Sequence, residues 1–260
     1  MINVSDQFKN EIEKNTNVKL QATIEFPLLD TSISISGGRF WSGSIQFEDA
    51  ISSNGSFDIG AAIINQFSAK RNNQDGYFSN YDLDGAVIYP QVGKELSDGT
   101  VEWISKGAYT IDNPAMAARS ISITALDNMH RFEKEYSKVN TVYPATIGQI
   151  VRDMATYCGV PMASGTFDNE DYIVSERPDD DSLTCLAMLS YAAQLAGCYA
   201  RCNNQGFLEM KWYTEADKDS ADHNISKFSS INVSQNDIAI TGIKVTDSGS
   251  GSDATEYLYG

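Results

Sequence analysis

The chain is poor in histidine, cysteine and basic side chains, and each scarcity removes a class of function. His130 and His223 are its only histidines, each in a charged stretch with no Cys or Ser partner nearby in sequence. A surface role is expected for both, since a base needs a nucleophile within hydrogen-bond reach. Cys158, Cys185, Cys198 and Cys202 lie among apolar neighbours and contain no C-x-x-C pair. They read as buried thiols, neither bridges nor a zinc site. Nineteen Lys and Arg against 35 Asp and Glu leave a formal charge of -16. That balance disfavours a grip on DNA, whose affinity comes largely from cations neutralising phosphates.

Other absences narrow the field further. No apolar run approaches the roughly 18 residues of a membrane span, so no membrane binding is expected. The opening MINVSDQFKNEIEKN is polar where a signal peptide has an apolar core, and synthesis and retention in a cytoplasm are expected. The sequons at Asn3, Asn54, Asn224 and Asn232 then carry no weight. Neither a G-x-x-x-x-G-K phosphate cradle nor a G-x-S-x-G nucleophile turn is present.

What is there builds a fold. At 260 residues, 42% of them hydrophobic and 10% aromatic, the chain has material for two domains with real cores. Val101 to Asp127 is the most legible stretch. SISITALD sets Ile121, Ile123 and Ala125 against Ser120, Ser122 and Thr124, the period-two pattern of a strand wet on one face. VEWISKGAYTID alternates likewise, and Asn113-Pro114 reads as the break between two antiparallel strands.

Upstream, Ser5 to Lys14 has Phe8 and Ile12 at helical spacing, with Ser5 or Asp6 as cap. VKLQATIEF and SISIS alternate as strands, with a turn at Gly37-Gly38. RFWSGSIQFEDA, then FDIGAAIINQFSAK with a kink or bulge at Gly60, and Ala86 to Val92 supply three more. Many short strands predict a closed β-barrel or sandwich wall in a domain spanning residues 1–135.

The period then changes to that of a helix. In PATIGQIVRDMATYCGV, Ile147, Ile150, Val151, Met154 and Cys158 recur at three and four residues, and Gly159 ends the helix. DYIVSE reads as a short strand. Asp179-Asp180-Asp181-Ser182 reads as the cap of a second helix, whose stripe is Leu183, Leu186, Leu189 and Ala193 and whose stop is Gly197. CYARC and FLEMKWY form a hairpin around NNQG, so residues 140–214 make an α+β module. A solvated linker follows Thr214. Residues 225–260 resume β alternation around a flexible SGSGSD loop. EYLY at the end reads as the middle of a strand, so the chain is expected to be a fragment. The fold class is α+β, mainly β.

Candidate chemistry is sparse. Asn80 to Gly85 matches the front half of a calcium loop, but Gln91 stands where a bidentate Glu closes the shell, and a polar turn is expected. Asp217, Asp219 and Asp222 read as linker solvation. No catalytic residue, cofactor site or metal site is assigned.

Five segments in order carry a resemblance: GYFSNYDLDGAVIYPQVG, EWISKGAYTID, SISITALDNMHRFEKEY, YPATIGQIVRDMATYCGV and SYAAQLAGCYARCNNQGFLEMKWY. Over most of residues 70 to 213 the chain resembles the hub proteins of phage tail tips and baseplates. It is also similar to the structural N-terminal part of prophage tail endopeptidases and tail-associated lysins. The resemblance implies a tail-tube-like barrel in the first domain, residues 225–260 as part of a second barrel or the completion of the first, and a homotrimer whose barrels, two per chain, continue the sixfold tube. It implies neighbours in the tail tube protein, the distal tail or baseplate ring and a spike or fibre, a place in the virion, and DNA passing through the lumen without specific binding. It implies no enzyme activity here, any lytic domain lying beyond residue 260.

Three other readings stand beside this one. The same hub serves a tailocin or contractile injection particle, and residues alone do not separate the two. A cell-wall hydrolase would need an acid pair or a Cys/His site. A carbohydrate-binding domain would want clustered aromatics, whereas Trp41, Trp103 and Trp212 fall on different segments.

Overall fold

The structure, a computed structural model, describes residues 4–14, 17–52, 59–117, 119–212, 243–246 and 256–259. The chain divides into two units, Met1–Thr214 and Glu215–Gly260. In the second unit Ile243–Thr246 pairs antiparallel with Glu256–Tyr259, so the expected EYLY strand is present. The 214–224 linker, the SGSGSD loop, His223 and the remaining β alternation lie outside the described residues.

The first unit opens with helix α1, Asp6–Lys14, which buries Phe8 and is capped where Ser5 Oγ accepts from the Phe8 amide at 3.1 Å. Eight antiparallel strands follow: β1 Lys19–Phe26, β2 Thr31–Ser36, β3 Gln46–Glu48, β4 Gln66–Asn72, β5 Val87–Glu95, β6 Val101–Ser105, β7 Tyr109–Ala117 and β8 Ser120–Asp127. Their order is β2-β1-β5-β7-β8-β4-β3, with β6 paired to β5. Alternation decides what goes inside. Ala22, Ile24 and Phe26 of β1, Ile33 and Ile35 of β2, and Ile121, Ile123 and Ala125 of β8 share one core with Phe67 and Ala69 of β4. Strands from both ends of the order meet in that core, so the sheet curls on itself.

It does not close into the expected barrel. Its two end strands, β2 and β3, are not paired with each other. The chain leaving β2 makes a tight 3-10 turn at Gly37–Arg39, and only Phe40 then bridges to Arg71 of β4. The expected third strand shrinks to Gln46–Glu48 for a local reason: Gly43 sits at φ +72°, and Ser44 Oγ shares its one proton between the Trp41 and Lys70 carbonyls and accepts from the Lys70 amide, using side-chain bonds where a ladder would need backbone.

Within Val101–Asp127 the strand break also lies elsewhere than expected. Asn113-Pro114 does not break a strand; it lies within β7. Asp112 pairs with Thr124 and Ala115 with Ser122, leaving two residues opposite Ile123 as a bulge. Asn113 takes φ +47°, and Pro114 needs no N–H where the ladder is already interrupted. The real break is at Gly107, φ +122°, between β6 and β7. It lets the chain leave the far half of β5 and rejoin the near half at Val87 and Ile88.

The helical part has its own core. The short strand β9, Ala145–Thr146, runs into α2, Ile147–Cys158, where Ile147, Ile150, Val151, Met154 and Cys158 are all buried as the spacing predicts. Thr146 caps its start and Gly159, in the left-handed region, its end. β10, Ile173–Val174, pairs with β9, and α3, Cys185–Ala196, is followed by the hairpin of β11, Tyr199–Cys202, and β12, Leu208–Lys211. The cap of α3 is Thr184, whose hydroxyl accepts from the Ala187 amide at 3.1 Å. The aspartates expected to cap it do not: Asp180 Oδ1 accepts from the Ser182 amide and hydroxyl, closing a turn one step upstream. All four cysteines are free and buried.

Candidate functional site

Two features stand out once the strands are placed: an open sheet edge and a polar junction between the sheet and the helical part. At the first, β2 ends the order, and no strand among the described residues pairs with its outer side. Ser32, Ser34 and Ser36 face water along it while Ile33 and Ile35 hold it to the core. At its start the Pro27–Asp30 turn presents Leu28, 99% exposed, and Leu29, 63% exposed. Apolar side chains in a hairpin turn contribute nothing to their own core, which makes this tip and edge a candidate contact surface.

The junction is built around Asp127, the last residue of β8. Its amide donates to the Asn65 carbonyl at 2.9 Å, and its carboxylate accepts from the Met129 amide at 3.0 Å, capping the 3-10 turn Asn128–Glu133. Asn128 Nδ2 donates to the Gly206 carbonyl at 2.8 Å, which ties the sheet to the β11–β12 turn. Asp49, Asn65, Tyr109 and Cys202 surround a cavity of about 10 Å³, room for about one water. Burial pushes the Asp127 carboxyl up to about 7, and Asp49 adds to the rise against the hydrogen bonds from Met129 and Asn65. Burial also raises the Tyr109 hydroxyl and the Cys202 thiol, holding both in their neutral forms. The cluster thus couples one proton-sensitive carboxylate to the packing of sheet against hairpin.

A second tie lies nearby. Gly60 donates to the Cys198 carbonyl at 2.8 Å, and Ser190 Oγ donates to the Gly60 carbonyl at 2.7 Å. A Cβ on Gly60 would lie 2.1 Å from Gln194 Cγ, so only glycine lets this segment reach α3. The kink predicted at Gly60 is therefore a turn against the helix, and the strand begins six residues later.

The other residues singled out by sequence are placed apart. Asn80–Gly85 forms a polar turn in which Asp82 accepts from the Asp84 amide and Asp84 from the Asn113 amide. His130 is half-buried, its Nδ1 2.6 Å from the Asp127 carbonyl oxygen, so it is less exposed than its charged neighbours suggest. Trp41 lies under the Lys70 ammonium and Trp103 over Gly93, on separate elements from Trp212. Lys19 pairs with Glu95 at 2.6 Å. Sequence reasoning passed over Asp127 and Leu28-Leu29. The signals were an acid directly before NMHRFE, where a cap belongs, and an apolar pair between Pro27 and Asp30 in a turn.

No protein-family model matches the chain, and no curated protein matches its sequence. Among solved structures, similarity is found to the prophage MuSo2 43 kDa tail protein from Shewanella oneidensis, at TM-score 0.48 and 11% identity, covering 76% of this chain and 57% of that one. The tail protein from Neisseria meningitidis MC58 is similar at TM-score 0.48 and 12% identity, covering 77% and 52%. The chain spans little more than half the length of either.

Proposed function

We propose that this chain is a structural protein of a phage tail, the hub of a tail tip or baseplate. Three copies cap the tail tube through their curled sheets, meet the surrounding distal-tail or baseplate ring and carry a spike or fibre below. DNA passes along the axis without specific binding, and no catalytic step is assigned to these residues. The observation that carries the reading is the open edge at β2 with the exposed Leu28-Leu29 turn at its end. An edge left unpaired in one copy is a template for a neighbour, and natural sheets that do not intend such pairing blunt it.

Two further features support the reading. The segments that resemble tail hubs fall on consecutive structural parts: the 76–93 segment on the turn before β5 and on β5 itself, then β6, β7 and β8, then α2, α3 and the hairpin. A charge of -16 suits passage of a polyanion, and Lys19, Lys70 and Arg71 are engaged within the chain: with Glu95, over the Trp41 ring and over the Phe78 ring. The test is to image assembled tail particles carrying a small epitope on this chain, labelled with gold-tagged antibody. Label confined to the axial tip, in threefold multiples, is the expected result. Label spread along the tube, or particles that lack the chain, would overturn the assignment.

A further inference from the structure

Arg71 is the bulkiest fully buried side chain of the sheet, 1% exposed, on the inward face of β4 beside Phe67 and Ala69. Its guanidinium lies 3.8 Å from the centroid of the Phe78 ring, with Phe40 at 5.6 Å. None of its three side-chain nitrogens has a hydrogen-bond partner among the described residues. Stacking on an aromatic face engages the plane of the guanidinium and leaves its in-plane N–H edge unused. Arginines elsewhere in the chain spend that edge: Arg177 donates to the carbonyls of Tyr136, Ser137 and Val139, and Arg201 pairs with Glu209.

The carboxylate that acts on Arg71 is already taken. Asp75 Oδ2 is held by Arg39 Nη1 at 2.8 Å, and Asp75 Oδ1 accepts from the Tyr77 amide at 3.2 Å. Arg39 lies over the Tyr77 ring at 4.7 Å. The turn from Asn73 to Tyr81 covers Arg71: Phe78 is fully buried, its amide donates to Asn73 Oδ1 at 3.0 Å and Tyr81 stacks on Phe26 at 5.0 Å, while the Arg39–Asp75 pair at the rim is exposed, a kind of contact that contributes little. A second arginine and a fork of unused donors have one chemistry in common. Both suit a planar or tetrahedral oxyanion, which an arginine fork binds through paired N–H donors.

We propose that Arg71, Arg39, Phe40 and the 73–81 turn form a binding site for an oxyanion, a carboxylate or a phosphate-type group. It enters when the turn lifts and takes the unused N–H edge of Arg71. The group comes either from a small anion in solution or from a carboxylate of another copy. This inference does not depend on the tail assignment.

The test is urea unfolding of the full chain and of Arg71→Met in sodium formate, sodium phosphate and sodium chloride at matched ionic strength. General salt effects act on both proteins alike. For the unsubstituted chain, formate or phosphate lowers the unfolding constant about tenfold when present at about nine times its dissociation constant. Arg71→Met shows no such gap between the salts. If the source is another copy, the gap appears in chloride alone as a dependence on protein concentration, again lost in Arg71→Met. The Arg71 Nε–H resonance of the unsubstituted chain gives a readout that needs no variant: it moves with formate or phosphate, or with protein concentration, and not with chloride. Identical responses of the two proteins to all three salts and to dilution, or a resonance that stays fixed throughout, would sink the proposal.

Discussion

Asp127→Asn offers the sharpest check on the junction between sheet and hairpin. The Asp127 carboxyl titrates near 7 in the folded chain against 3.8 when unperturbed, so the native state binds a proton the unfolded state has released. This group's stabilisation is fully present below about pH 4 and is lost as pH rises through about 7. A difference of about 3 pH units at about 1.4 kcal/mol each bounds the effect at about 4 kcal/mol. Asparagine keeps the acceptor oxygen that caps Met129 and carries no charge to bury. Urea unfolding from pH 4 to 8 therefore shows the stability of the unsubstituted chain falling relative to Asp127→Asn by up to about 4 kcal/mol. The difference between the two curves cancels the titration of every other group. If the curves run parallel, Asp127 is ionised without cost in the folded chain, and the argument from its burial fails.

Other substitutions test other joints. Thr184→Ala costs about 1 kcal/mol in thermal unfolding, the loss of one helix cap, while Asp179→Ala and Asp181→Ala leave stability within about 0.5 kcal/mol. Equal losses at all three would restore the acidic cap. Gly60→Ala, forced against Gln194 and Ser190 at φ +85°, costs about 1–3 kcal/mol, read as a lowered urea midpoint at unchanged slope. Leu28→Asp with Leu29→Asp leaves the isolated chain's melting temperature unmoved, because neither side chain supports the core, and removes the chain from assembled particles on immunoblots.

What the sequence determined by itself is the local grammar. Period two placed Ile24, Ile33, Ile121 and Ile123 inward, and period 3.6 placed Ile147, Ile150, Met154 and Leu189, because each pattern needs only a handful of adjacent residues and one wet face. Helix ends at Gly159 and Gly197 were legible for the same reason: a left-handed cap is a property of one residue. What only the tertiary structure decided are relations between distant segments. Whether the strands close a barrel depends on whether β2 meets β3, and that turns on Gly43 and Ser44, whose bonds to Trp41 and Lys70 bring residue 44 beside residue 70. The bulge at Asn113-Pro114 is invisible until β8 supplies a register to interrupt. The perturbed Asp127 and the unpartnered Arg71 follow the same rule. LDN marks Asp127 as a cap but not as a buried charge, and KRN marks nothing at Arg71, because burial of a charge is set by segments folded over it, Asn65 and Cys202 in one case and the 73–81 turn in the other.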